Sequence, residues 1–97
     1  MMSVPVWVRK PTAKQIAFFE TCETWEHVPE TWSVTRADNY ESFIVIAGRA
    51  FIEMENGDRY RFTVGDLVTM APGIKCTWCV EEHIKKHYAY NIDLDDK

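Results

Sequence analysis

The stretch Gly65-Asp66-Leu67-Val68-Thr69-Met70-Ala71-Pro72-Gly73-Ile74-Lys75-Cys76 constrains this chain more than any other. Its apolar run, Leu67 to Met70, is the length of a short strand, and turn formers bound it on both sides. Gly65 can take backbone angles denied to residues with a Cβ, Pro72 fixes its own φ, and Gly73 permits a tight reversal. The stretch therefore predicts a strand framed by two turns, with the second turn sending the chain back through Cys76.

The rest of the chain is read outward from that unit. Residues 4–8 alternate weakly, as an edge strand would. Pro11-Thr12-Ala13-Lys14-Gln15-Ile16 predicts a helix start, with Thr12 as N-cap and Gln15 completing a capping box. That helix, 13–20, is too short to stand alone, so Ile16 and Phe19 are expected to dock it on something larger. From Cys22 onward the period becomes two, and strands are expected at 24–28, 31–36, 40–47, 49–55, 58–64, 67–70, 76–82 and 84–91. Asn56-Gly57 predicts a two-residue primed turn. Alternation places Tyr60, Phe62 and Val64 inside. Glu81-Glu82 facing Lys85-Lys86 reads as a hairpin with cross-strand charge pairs, His83 and His87 read as surface residues, and the tail from Asp93 reads as solvated. Many strands with one small helix make a closed or double-sheet all-β domain.

The opening stretch resembles the second motif of the cupin family, G-x-x-x-x-x-P-x-G-x-x-H. Its glycine positions fall on Gly65 and Gly73, the proline position holds Ala71 with Pro72 one place later, and Cys76 stands where the histidine would be. The first cupin motif lies over Glu41 to Gly48, and its two histidine positions fall on or near Val34 and Arg36. The resemblance spans about 31–91. It is nearest to small proteins grouped with the cupin domain of (S)-ureidoglycine aminohydrolase, which carry Gly-Asp-Leu-Val-Thr followed by Cys-x-Trp, here Gly65 to Thr69 and Cys76-Thr77-Trp78. It implies a single cupin domain over 1–97, an RmlC-like jelly-roll barrel with one short N-terminal helix, a central pocket, and pairing as a homodimer.

Composition narrows the function classes. A chain of 97 residues buries roughly 60 to 65% of its unfolded surface, enough for one core. A net charge of −4 gives no basic footprint for nucleic acid and none for an anionic membrane. No run approaches the roughly 20 apolar residues of a membrane span, and the first residues lack the pattern of a signal peptide. Three cysteines do not make a disulfide framework, so a reducing, intracellular, cytoplasmic setting is expected, an organelle remaining open.

Strand parity decides which side chains can meet. Placing Glu41 inward brings Phe43 and Val45 with it; Cys76, Trp78 and Val80 form a second inward row, and Trp32, Val34 and Arg36 a third. The expected site is thus Glu41, Arg36 and Cys76 among Trp32, Phe43 and Trp78, an apolar pocket with few polar groups. Three chemistries compete for it. A divalent metal (zinc, manganese or iron) would take Glu41 and Cys76, with His87 or His27 as third ligand if register turned it inward. An Arg36–Glu41 ion pair would instead make a binding pocket for a small polar or anionic metabolite. Cys76 as a nucleophile would need a cation beside it, and Arg36 is the one on its face. A Cys76–Cys79 disulfide is excluded by strand geometry, since residues three apart point to opposite faces and lie roughly 10 Å apart. The binding pocket is the leading expectation, with no reaction assigned. A metal-dependent hydrolase resembling ureidoglycine aminohydrolase is the alternative, and a filled, purely structural or partner-binding barrel is the third.

Overall fold

The computed structural model describes residues 4–94. In chain order the elements are β1 (Val6–Arg9), α1 (Ala13–Phe19), β2 (Thr24–His27), β3 (Glu30–Thr35), β4 (Glu41–Met54), β5 (Arg59–Thr63), β6 (Leu67–Met70) and β7 (Lys75–Tyr90). The domain is an all-β barrel with one short helix, as the sequence predicts. Among the described residues no helix is long and apolar enough to cross a membrane.

Two long antiparallel strands, β4 and β7, form the spine. The first half of β4 pairs with β6 and its second half with β5. The second half of β7 pairs with β2 and its first half with β3. β1 extends the sheet beyond β6. Each of the two strands was expected as a pair of shorter ones. They run on because the ribbon bends instead of breaking: from Val45↔Lys86 to Ala50↔Val80, β4 advances five residues while β7 retreats six. Gly48 sits in this bulge at φ 78°, and a Cβ there would collide with the His83 carbonyl oxygen. Only glycine lets the two backbones approach so closely.

The bulge has a consequence for which side chains face inward. In β4 the inward residues change from odd (Glu41, Phe43, Val45) to even (Ala50, Ile52), whereas β7 keeps even residues inward on both sides of the bulge (Cys76, Trp78 and Val80, then Ile84 and Lys86), with Glu82 turned outward between them. The hairpin expected at His83 is therefore absent. Glu81 and Glu82 pair with Arg49 and Arg61, Lys85 reaches Glu26, and Lys86 turns inward.

The interior cluster comprises Val6, Phe43, Val45, Ala50, Ile52, Phe62, Val68, Met70, Trp78, Val80 and Ile84, with Cys76 among them. Val64 was expected inside and is 55% exposed, because β5 ends at Thr63. The helix forms as its capping box dictates: Gln15 N donates to Thr12 Oγ1 at 3.1 Å and Thr12 N to Gln15 Oε1 at 2.8 Å. It docks through Phe19, 1% exposed, beside Ile44, Leu67 and Leu94. Ile16, the other expected anchor, is 43% exposed; Gln15 is buried in its place and donates to the Leu94 carbonyl at 3.2 Å. Leu94 thus leaves the tail expected to be solvated, while 95–97 lie outside the described residues. The Asn56-Gly57 turn is one residue longer than expected. Gly57 N donates to Met54 O, Met54 N to Asp58 O, and Gly57 alone takes positive φ, so the loop is a turn followed by a glycine bulge.

Candidate functional site

The Pro72-Gly73 turn does more than reverse the chain. Gly73 N donates to Ala37 O at 3.0 Å and Arg36 N to Ile74 O at 2.8 Å, which clips the segment after β3 onto the turn before β7. Arg36 is thereby held at one end of the barrel. Its Nη1 donates to the carbonyls of Asn39 (2.7 Å) and Ala71 (3.2 Å), and its Nη2 to Asn39 Oδ1 (3.0 Å) and Glu41 Oε1 (3.3 Å). Those four bonds use all the hydrogens of the two terminal nitrogens, so Arg36 contributes charge and support more than free donors.

Glu41 opens β4, and its second oxygen, Oε2, accepts from Lys86 Nζ at 2.7 Å. The side chains of Arg36, Glu41 and Lys86 are 8%, 11% and 6% exposed. Lys86 Nζ also lies 4.0 Å from the Phe43 ring centroid, 4.7 Å from Trp25 and 4.9 Å from Trp78. Burial pushes the Lys86 ammonium below its ordinary value of 10.5; Glu41 opposes this as partner and acceptor, and Arg36 adds to it by repulsion.

Above this trio opens a cavity of about 360 Å³ walled by Trp25, Trp32, Trp78, Tyr88 and Tyr90. Trp32 and Trp78 stack at 5.8 Å with planes 8° apart, and Trp25 meets Trp78 edge-on at 5.8 Å. His27 stacks on Trp32 at 4.5 Å and pairs with Glu30. The Tyr88 hydroxyl donates to Glu23 at 3.0 Å, and that bond, with burial, holds its proton more tightly than usual. Tyr90 is shifted the same way, by burial first and by Glu41 second.

Four of the six residues singled out from the sequence, Glu41, Arg36, Trp32 and Trp78, line this cavity. Phe43 is sealed in the core beneath Lys86. Cys76 is buried too, but opens on a neighbouring cavity with Ser33, Lys75 and Thr77. Burial raises its thiol above the usual 9.0, and Arg36 only partly offsets this. A thiol so placed is a weak nucleophile. His87 lies on the opposite parity from Lys86, with Nδ1 2.9 Å from the Cys22 carbonyl. Among the described residues no three His, Cys, Asp or Glu side chains gather as metal ligands. Both Glu41 oxygens are already held by cations, so the donor set does not fit the metal considered from the sequence.

Lys86 and Trp25 are among the site residues that the expected set of six leaves out, as are Tyr88 and Tyr90. A signal was present: even residues Cys76, Trp78, Val80 and Ile84 lead to Lys86, with Glu82 the outward exception. Reading Glu81 to Lys86 as a charged hairpin hid it.

Comparison with known proteins follows the same outline. The sequence profile of the EutQ-like cupin domain matches residues 15–88. A DUF861 family protein from Thermotoga maritima is 30% identical, with a TM-score of 0.80 over 87% of this chain and 97% of its own. A protein of the same family and unknown function from Pseudomonas syringae pv. tomato is 28% identical, with a TM-score of 0.63 over 70% of this chain and 29% of its own. The Clostridium difficile EutQ protein shares the fold at 21% identity and a TM-score of 0.62, over 86% of this chain and 64% of its own. No curated protein sequence matched.

Proposed function

Since this chain belongs to the EutQ-like cupin domain family, we propose that it binds a small anionic metabolite in the cavity above Arg36, Glu41 and Lys86. The observation that carries this reading is the charge balance: two cations face one carboxylate in a largely desolvated place. A bound anion would neutralise the surplus, and the aromatic walls would hold its apolar part. Lys86 is the ligand-facing member, because the terminal hydrogens of Arg36 are committed to protein acceptors. The narrower likeness to ureidoglycine aminohydrolase would call for a metal, which the donor set here does not suit.

A thermal-shift and calorimetric screen of small carboxylates and phosphates, each beside its neutral amide or alcohol, tests this. The anions are expected to bind and the neutral partners not. Lys86→Met should weaken the anions by about tenfold to a hundredfold, the worth of one hydrogen bond to a charged group. Equal binding of charged and neutral partners, or hits indifferent to Lys86→Met, would overturn the proposal.

A further inference from the structure

A buried carboxylate needs one cation, and Glu41 already has Arg36. Lys86 is a second one, nearly wholly desolvated, and a purely structural pair would be cheaper without it. Lys86 nonetheless lines the cavity. Its hydrogen-bond partner is Glu41 Oε2, and its ammonium lies over the faces of Trp25, Phe43 and Trp78 with the Arg36 charge nearby. An amine with one carboxylate beside it, in an aromatic cage that restricts water, has what carbonyl condensation needs. Resting on the binding reading above, we propose that Lys86 Nζ forms a reversible imine with a small oxo acid, an aldehyde or ketone that also bears a carboxylate.

The step balances within the trio. Lys86 passes a proton to Glu41 Oε2, and the freed lone pair attacks the carbonyl carbon; a C–N bond forms as the C=O π pair moves to oxygen. A second proton passes from nitrogen to that oxygen, giving the carbinolamine. The nitrogen lone pair then closes the C=N bond while the hydroxyl leaves with the proton from Glu41 as water. The product is a protonated imine facing a carboxylate, the same ion pair as at the start. Depression of the lysine's proton affinity by burial helps the first transfer. Arg36, held to Oε1, leaves Oε2 to the lysine.

The probe is glyoxylate with cyanoborohydride at neutral pH on the full chain, with carboxymethyl-lysine mapped by peptide mass spectrometry. Lys86 should be modified before the more exposed Lys85 by about tenfold or more, since a glyoxylate held in the cavity presents its carbonyl to Lys86 and not to Lys85. Glycolate, which keeps the carboxylate and lacks the carbonyl, should slow Lys86 and leave Lys85 alone. Lys86→Arg should abolish the early adduct, and an adduct that persists elsewhere at the same early rate would overturn the assignment to Lys86. If glycolate stabilises the wild-type protein but Lys86 reacts no faster than Lys85, the imine is refuted and the binding reading stands. If glycolate and glyoxylate neither stabilise the protein nor alter Lys86 labelling, both fall.

Discussion

The two halves of the β4–β7 ribbon are built from the same strands and do different work. Beyond the bulge, Ala50 and Ile52 face Val80 and Trp78 and everything inward is apolar. Before it, Glu41 and Val45 lie opposite Tyr90 and Lys86, and the interior holds three charges. The half beyond the bulge is held by dispersion and exclusion of water, which need only volume. The half before it is held by pairing, in which every group depends on another remaining. Polar interiors concentrate risk where cavities are, and apolar ones spread it.

The sharpest test of that contrast is to remove one group from each half. Glu41→Ala leaves two buried cations facing each other and should cost about 4 kcal/mol in denaturant unfolding, as for one partner lost from a buried pair. Ile52→Ala, in the sealed half, should cost about 3 kcal/mol through lost transfer energy and a residual cavity. A smaller loss at Glu41 than at Ile52 would mean the trio is better solvated than its burial implies.

Lys86→Met should be much milder than Glu41→Ala, about 1 kcal/mol or less, because Glu41 keeps Arg36 and the methionine fills the aromatic cage. The same variant isolates a pH effect. The folded Lys86 binds its proton less tightly than an unfolded lysine, so in the window up to 10.5 the unfolded chain holds more protons and stability from this group rises with pH. That rising contribution should vanish in Lys86→Met. Cys76 acts with the opposite sign: its raised thiol keeps its proton in the folded state, so stability falls as pH climbs above 9.0 toward the folded value. Cys76→Ala should flatten that fall. The smallest effect is kinetic: in the native protein Cys76 should be alkylated last, after the more exposed Cys22 and Cys79.

Much of the fold was legible because local chemistry and global structure agree. Thr12 and Gln15 start the helix as a capping box does anywhere, and Gly65 and Gly73 take the positive φ that their turns require. Arg36 and Glu41 were legible as a pair because short-range parity put them together. What failed depends on distance along the chain. The even parity leading to Lys86 is interrupted at Glu82, and what lets β7 continue through His83 is Gly48 on another strand, whose missing Cβ lets β7 pass. Ile16 and Gln15 exchanged roles for a similar reason. The helix faces Leu94, whose carbonyl wants a donor, and glutamine supplies one where isoleucine cannot. Sequence periodicity describes a single strand or helix, and these outcomes were set by pairs of them.

The three rings around Lys86 also make the site optically self-reporting. Two of them are indoles, Trp25 and Trp78, whose excited states respond to a positive charge against their faces. Any event that neutralises or displaces that ammonium, from proton loss to the arrival of an anion, should shift ultraviolet emission without a dye or a label.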